Sequence, residues 1–468
     1  MPNDHFSNGK KIAFTVVMFL YINLALTIFW ILKPLKKSLF IGLYDGDQTF
    51  KLGSMEMLGS SAELLAKGMN LLIAFMLVVF LTLVTRLAKR QRLTYCCMGL
   101  IIAMTFYFSL QNFNEPSEST VWLFYWFGDL YISLMLAAFF SFLHDTVDLR
   151  NAKRLYGFIV LGAVSGGAVG STYFRGWIGE MNNQQWLHTI IGIGVVICLL
   201  AFAAGWMAKS IPHHEPKPSP NDVPKKKFNA AIEGASLVFK SRYLIAIAGI
   251  VGFYEITSEV LDYQFTAMTE RFVPKEDIGS RFGTVYAIGN IAALVVQLCF
   301  SIFAAGFPKY RIHWILLALP LAVALSSLFF IIAPILLAAS LLKISDSTFA
   351  YSVNQTGRET LYNPLSRQEK YVARAFVEVF IQRTGKVAAL LIAFLVPMFL
   401  NTRNEAGQLE TNLLGLQLLG GFTCIIVAIW FYCVKIVGRK FESLEREQQQ
   451  ATATTLGQAQ EQPSAGTA

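Results

Sequence analysis

Residues 30–40, WILKPLKKSLF, place Lys33, Lys36 and Lys37 inside an apolar run that begins near Ile12 and continues through Leu43. A charge at membrane depth costs several kcal/mol unless it faces an aqueous cavity or a partner, so three lysines there call for a function. Ammonium groups that replace the water around phosphate oxygens are one chemistry that meets the requirement. The same sorting of charges inside apolar windows picks out Glu63, Lys67, Asp129, Glu255, Glu259, Asp262, Lys343, Asp346, Arg374, Glu378, Arg383 and Lys386. Carboxylates among them would keep an empty cavity near neutrality and give the lysines partners when no substrate is bound. The plainer reading of Lys37, and less so of Lys36, is that it snorkels to lipid headgroups from a helix end. Glu63 and Lys67, spaced i, i+4, fit either a satisfied local pair or a part of the site.

The elements that must position these charges follow from composition. The chain has 468 residues, of which 54% are hydrophobic and 15% charged, and its mean hydropathy is +0.50. Those values belong to a multi-span membrane protein. Windows of about twenty apolar residues, the length that crosses a bilayer as a helix, can be placed twelve times, near 12–43, 54–88, 93–111, 121–145, 154–178, 185–208, 243–268, 280–306, 312–333, 335–356, 371–400 and 411–436. The formal net charge of +9 would suggest nucleic acid in a soluble protein, but most basic residues fall in alternate short connections, such as Arg86 to Arg92, Arg150 to Arg154 and Lys225 to Lys227. That pattern predicts both termini on the cytoplasmic side of a cell (inner) membrane, with no nucleic-acid partner. The start of the chain has no short apolar region followed by small residues, so the first span is expected to be retained.

The Pro- and Lys-rich segment within 211–232 reads as a cytoplasmic linker. It predicts an N-terminal six-helix half (1–210), a C-terminal six-helix half (233–440) and a disordered tail (441–468). Two six-helix halves around a central site are the all-α, major facilitator layout. In that layout the first, fourth, seventh and tenth spans line the cavity and carry Lys33 to Lys37, Asp129, Asp262 and Lys343.

Other features are less informative. The glycines of LYGFIVLGAVSGGAVGS (155–171) have the small-xxx-small spacing of helix packing. The six cysteines all lie in apolar segments, without disulfide or zinc spacing. No Ser/His/Asp or HExxH arrangement occurs, so an enzyme is not expected, and neither is a bound cofactor.

Several segments resemble the nucleotide transporter family, the bacterial and plastidic ATP/ADP translocases. The most distinctive is TGRETLYNPLSRQEKYVARAFVEVFIQRTGKVAAL (356–390), with Arg358 and Glu359, the Tyr362 to Leu365 turn, Lys370, Arg374, Glu378, Gly385 and Lys386. GSSAELL (59–65), GDLYISL (128–134), LRNAKRLYG (149–157) and SEVLDYQF (258–265) are similar in shorter patches. The departures are Lys33-Pro34-Leu35-Lys36-Lys37, which keeps the family's basic positions and loses two acids, Thr266 and Met268 where lysines are usual, and Arg358 in place of a lysine. The resemblance implies a substrate site at Lys33, Lys36, Lys37, Asp129, Asp262, Arg358, Glu359, Arg374 and Lys386. It also implies exchange of a nucleotide or related phosphorylated anion.

The expectation is therefore a monomeric secondary transporter in a lipid bilayer, with a nucleotide or other phosphorylated small molecule as substrate. Its rivals are a proton-coupled transporter using Asp129 or Asp262, and a non-transporting sensor or scaffold. A cytoplasmic gate is expected from Arg367, Lys370 and Arg374, which share one face at i, i+3 and i+7. Opposite them would stand Asp145 and Asp148, next to Arg150 and Lys153.

Overall fold

The computed structural model describes residues 8–44, 48–87, 91–146, 149–208, 227–306, 312–362, 364, 365, 372–403, 405 and 407–461. Apolar runs without intervening turn signals form long helices: α1 (Asn8–Leu43), α2 (Gly59–Leu87), α3 (Gln91–Leu110), α4 (Glu118–Thr146), α5 (Leu149–Trp177) and α6 (Asn183–Ala208). A shorter α7 (Lys227–Lys240) precedes α8 (Arg242–Phe272), α9 (Ile278–Gly306) and α10 (Ile312–Ile332). Next come α11 (Leu336–Phe349), α12 (Gln355–Thr360), α13 (Arg374–Phe376), α14 (Gln382–Leu400) and α15 (Leu413–Glu461).

Helix ends follow local chemistry. Ser241 caps α8 by accepting from the Leu244 amide, and Pro274, which has no amide donor, follows its last turn. Pro34 sits within α1, so the Trp30 carbonyl loses its helical donor just where Lys33, Lys36 and Lys37 leave the helix. Two single π turns, Ala350–Asn354 and Val377–Ile381, interrupt the helical run after α11 and α13.

Seven helices among the described residues are long and apolar enough to cross a membrane. The twelve windows differ from this number partly because the π turn cuts α11 to 14 residues. The second window also starts too early: residues 54–58 belong to a hairpin, β1 (Phe50–Leu52) with β2 (Met55–Met57), paired Phe50 to Met57. A second hairpin, β3 (Thr402–Arg403) with β4 (Leu409–Glu410), precedes α15.

The tail also departs from expectation. Instead of ending in disorder from residue 441, the chain stays helical to Glu461. An already nucleated helix extends at little cost through Ala, Gln, Glu and Leu, all good helix formers. Of the expected linker, residues 211–226 lie outside the described residues, and from Lys227 the chain is helical.

Two buried clusters organise the interior. One is built from α1, α3, α4, α5 and α6, around Met18, Tyr21, Tyr131 and Trp186. The other draws mainly on Val238 to Phe441 and also takes in Trp30, Phe40, Ala62 and Tyr125. The glycines of α5 pack as their spacing predicts: a Cβ on Gly166 or Gly170 would collide with the carbonyl of Asn23 or Thr27 on α1. Contacts between the early and late helices include Asn290 on α9, whose side-chain amide donates to Ser171 Oγ at 3.2 Å and to the Gly167 carbonyl at 3.3 Å.

Candidate functional site

The charges converge on one cavity of about 410 Å³ between the early and the late helices. Its wall holds six lysines, Lys33, Lys36, Lys37, Lys67, Lys343 and Lys386, and five carboxylates, Glu63, Asp129, Glu255, Glu259 and Asp262. Phe29, Tyr125, Tyr254 and Tyr286 supply aromatic faces to the same space.

Asp262 on α8 is the hub. Its carboxylate receives Lys67 of α2 at 2.6 Å, Lys37 of α1 at 2.8 Å and Lys343 of α11 at 2.9 Å. Lys67 also reaches Glu259 at 3.3 Å, and Lys37 reaches Glu63 at 3.4 Å. A separate pair joins Lys36 to Asp129 on α4 at 2.5 Å, with Asn70 donating to the other oxygen of Asp129 at 2.5 Å. The Lys36 ammonium also lies 4.2 Å from the centre of the Tyr125 ring. Gly128 makes this possible, because a Cβ there would come within 2.6 Å of the Lys36 Cδ.

Lys33 has a different environment. Its ammonium lies over Trp30 at 4.6 Å, Tyr286 at 5.0 Å and Phe29 at 5.9 Å. It makes no ion pair with a carboxylate among the described residues, so it retains hydrogen-bonding capacity for an arriving anion. Lys386 is loosely held: its side chain is 42% exposed and lies 3.7 Å from Glu255, whose other oxygen accepts from Gln382 at 2.7 Å.

The structure thus brings together six of the expected site residues: Lys33, Lys36, Lys37, Asp129, Asp262 and Lys386. Arg358, Glu359 and Arg374 stand apart from the cavity wall. Arg374 pairs with Glu359 at 2.7 Å and with Glu378 at 2.8 Å. Arg358 places its guanidinium 5.7 Å from the ring of Tyr254, which does line the cavity. Of the expected gate, Asp148, Arg367 and Lys370 lie outside the described residues. Asp145 sits on α4, and Arg150 and Lys153 on α5, as backbone positions only.

Glu63, Lys67, Glu255, Glu259 and Lys343 complete the site. All five were visible as charges in apolar windows. Lys67 does more than pair locally, because its Glu63 contact at 3.7 Å is longer than those to Glu259 and Asp262. No cluster of metal-ligating side chains occurs among the described residues.

No family model matches the chain. It is 25% identical over 365 residues, 70% of its length, to "ADP,ATP carrier protein 1, chloroplastic" of Arabidopsis thaliana, of which the match covers 55%. It is 23% identical over 308 residues, 58% of its length, to "ADP,ATP carrier protein 1" of Chlamydia trachomatis, covering 57% of that protein. The chain therefore spans a little over half the length of these curated relatives. Among solved structures, a POT family transporter in complex with 5-aminolevulinic acid superposes with a TM-score of 0.61 at 10% identity, over 91% of this chain and 96% of that one. A mutant of the nucleoside transporter NupG gives 0.56 at 11% identity, over 91% and 99%. An inward-facing, unoccupied bacterial homologue of the lysosomal transporter Spinster gives 0.55 at 13% identity, over 94% and 99%. The chain thus shares the helical fold of these transporters. The chain is accordingly a multi-pass, largely helical membrane protein whose charged cavity occupies the place between the two helix groups.

Proposed function

We propose that this protein is a secondary transporter that exchanges nucleotides, or related phosphorylated anions, through alternating access. The observation that carries this reading is Lys33, an amine that lies over aromatic rings and makes no ion pair with a carboxylate among the described residues, in a cavity where five other lysines are paired with carboxylates. A phosphate entering this space would meet Lys33 first and then compete with Asp262 and Asp129 for lysines already in place. The half-buried ring of Tyr254 at the cavity wall would receive a base by stacking. The names of the curated relatives and of the nucleoside transporter support a nucleotide over other anions.

The placement of the connections supports alternating access. Among the described residues, the ion pairs between the early and late helices sit in the cavity, at Lys37 and Lys67 with Asp262 and Glu259, and at the hairpins, where Arg403 meets Glu56 at 2.7 Å. A substrate that captures the cavity lysines would remove part of what holds the two groups together. Our reading keeps twelve crossings in halves 1–210 and 233–440, both termini cytoplasmic in the inner membrane, a monomer, and an inward gate formed by Arg367, Lys370 and Arg374 against Asp145 and Asp148.

The test is counterflow of a panel of labelled nucleotides into liposomes holding the purified full chain. Saturable exchange of at least one nucleotide is expected. Binding without flux would support a sensor instead, and flux indifferent to every phosphorylated solute would refute the reading.

A further inference from the structure

Near the end of α8 stands an acid that has no basic partner among the described residues. Glu270, near the end of α8, directs its carboxyl across to the start of α2, where Oε2 accepts the Ser60 amide N–H at 3.0 Å. Its Oε1 is enclosed beside Gly59 and Ser60 at the start of α2. Unlike Asp262, Glu259 and Asp129, it pairs with no Lys or Arg among the described residues.

Its charged and titratable surroundings offer no compensation. From α2 it faces the Gly59 and Ser60 amides and, farther along, the carboxylate of Glu63. On its own helix, Tyr263 lies two turns earlier on the same face, beside Ser60 and Ser61, while Arg271 is turned to Glu410 at 2.8 Å and to the Thr411 carbonyl. The end of α1 presents Ile41 to Gly59 and Gly42 to the exposed Lys275, with no charge toward Glu270. The helix-end amides favour an anion there, whereas enclosure and Glu63 oppose it. An ionised carboxylate at this position has amide and hydroxyl donors but no cation among the described residues to balance its enclosed charge, whereas the carboxylic acid carries no charge to balance.

We propose that Glu270 is a proton-binding site and that its protonation stabilises closure of the hairpin end of the transporter. Resting on the alternating-access reading, this makes the proton a second ligand. The proton is taken from water on the hairpin side when that end is open, is held as a carboxylic acid while the end is closed, and returns to water when the halves separate. Opening replaces the lost contacts by hydration of the carboxylate, so acid on the hairpin side drives the carrier toward the opposite opening.

Two measurements on the purified full chain test it. Infrared difference spectroscopy between substrate-free wild type and Glu270→Gln is expected to reveal a protonated-carboxyl band in wild type alone. Gln keeps the oxygen that accepts from Ser60, which preserves the fold. In liposomes, counterflow in wild type is expected to vary with pH by up to about tenfold per unit, the limit for one titrating group, to be flat in Glu270→Gln, and to regain its slope in Glu270→Asp. A missing band, or a pH profile unchanged in Glu270→Gln, overturns the proposal. A band without transport of any nucleotide supports the proton site and overturns the transport reading instead.

Discussion

Lys37 Nζ lies 2.8 Å from Asp262 Oδ2, although 225 residues separate them. The same oxygen receives Lys67 at 2.6 Å, so one carboxylate joins α1 and α2 to α8. A buried ion pair contributes little net stability while intact, but removing one partner strands the other and costs about 3–5 kcal/mol.

Asp262→Asn is therefore expected to remove the carboxylate shared by Lys37, Lys67 and Lys343, leaving them only the longer contacts to Glu63, Glu259 and Asp346. An unbalanced cavity favours the anion-loaded state, so turnover should fall by about tenfold or more while substrate affinity holds or rises. Counterflow rates measured beside equilibrium binding check this. Equal losses in both would make Asp262 a plain structural residue.

Lys33→Gln and Lys36→Gln separate the free cation from the paired one. Loss of a charge-assisted bond of roughly 1.5–3 kcal/mol should raise apparent KM about tenfold or more. The larger effect is expected at Lys33, because Lys36 already spends its charge on Asp129 at 2.5 Å. An unchanged KM in both, with normal membrane insertion, would remove the lysines from the substrate site.

Gly166→Ala addresses packing and not transport chemistry. The added methyl would meet the Asn23 backbone, and such overpacking costs about 1–3 kcal/mol. A lower thermal unfolding temperature in detergent is expected, with an unchanged KM in the folded fraction.

The hairpins supply a pH prediction outside the bilayer. The Arg403 hydrogen bond, aided by Lys51, holds the Glu56 carboxyl below its ordinary range. A carboxylate depressed in the folded protein contributes above its unfolded value and loses that contribution as pH falls through the folded one. Acidification below the usual carboxylate range should loosen the two hairpins, read as a rise in distance between spin labels placed on them. Glu56→Gln should make that distance independent of pH.

The inward gate is tested by cysteine pairs joining 367–374 to 145–154. Crosslinks should form when the carrier is held open at the hairpin end and vanish when it is open at the other. A yield that ignores conformational state would leave topology as the reason for these charges.

What the sequence determined by itself was the class of protein and a set of charges that the structure brings to one cavity. Apolar windows long enough to span a bilayer, and charges that such windows exclude unless they are used, are local properties, and they led to Lys33, Lys36, Lys37, Asp129, Asp262 and Lys386 without coordinates. The small-residue spacing of α5 likewise predicted its close approach to α1. Pairing was decided only by the tertiary structure. Which lysine meets which carboxylate depends on how each helix is rotated against its neighbours, so Lys67, four residues from Glu63, turns instead to Asp262. For the same reason Arg358 and Arg374, near the cavity in sequence pattern, point to Tyr254 and to Glu359. That Glu270 meets no basic side chain among the described residues was equally invisible in the chain, because it is a property of everything packed around a carboxyl and not of the residues beside it in sequence.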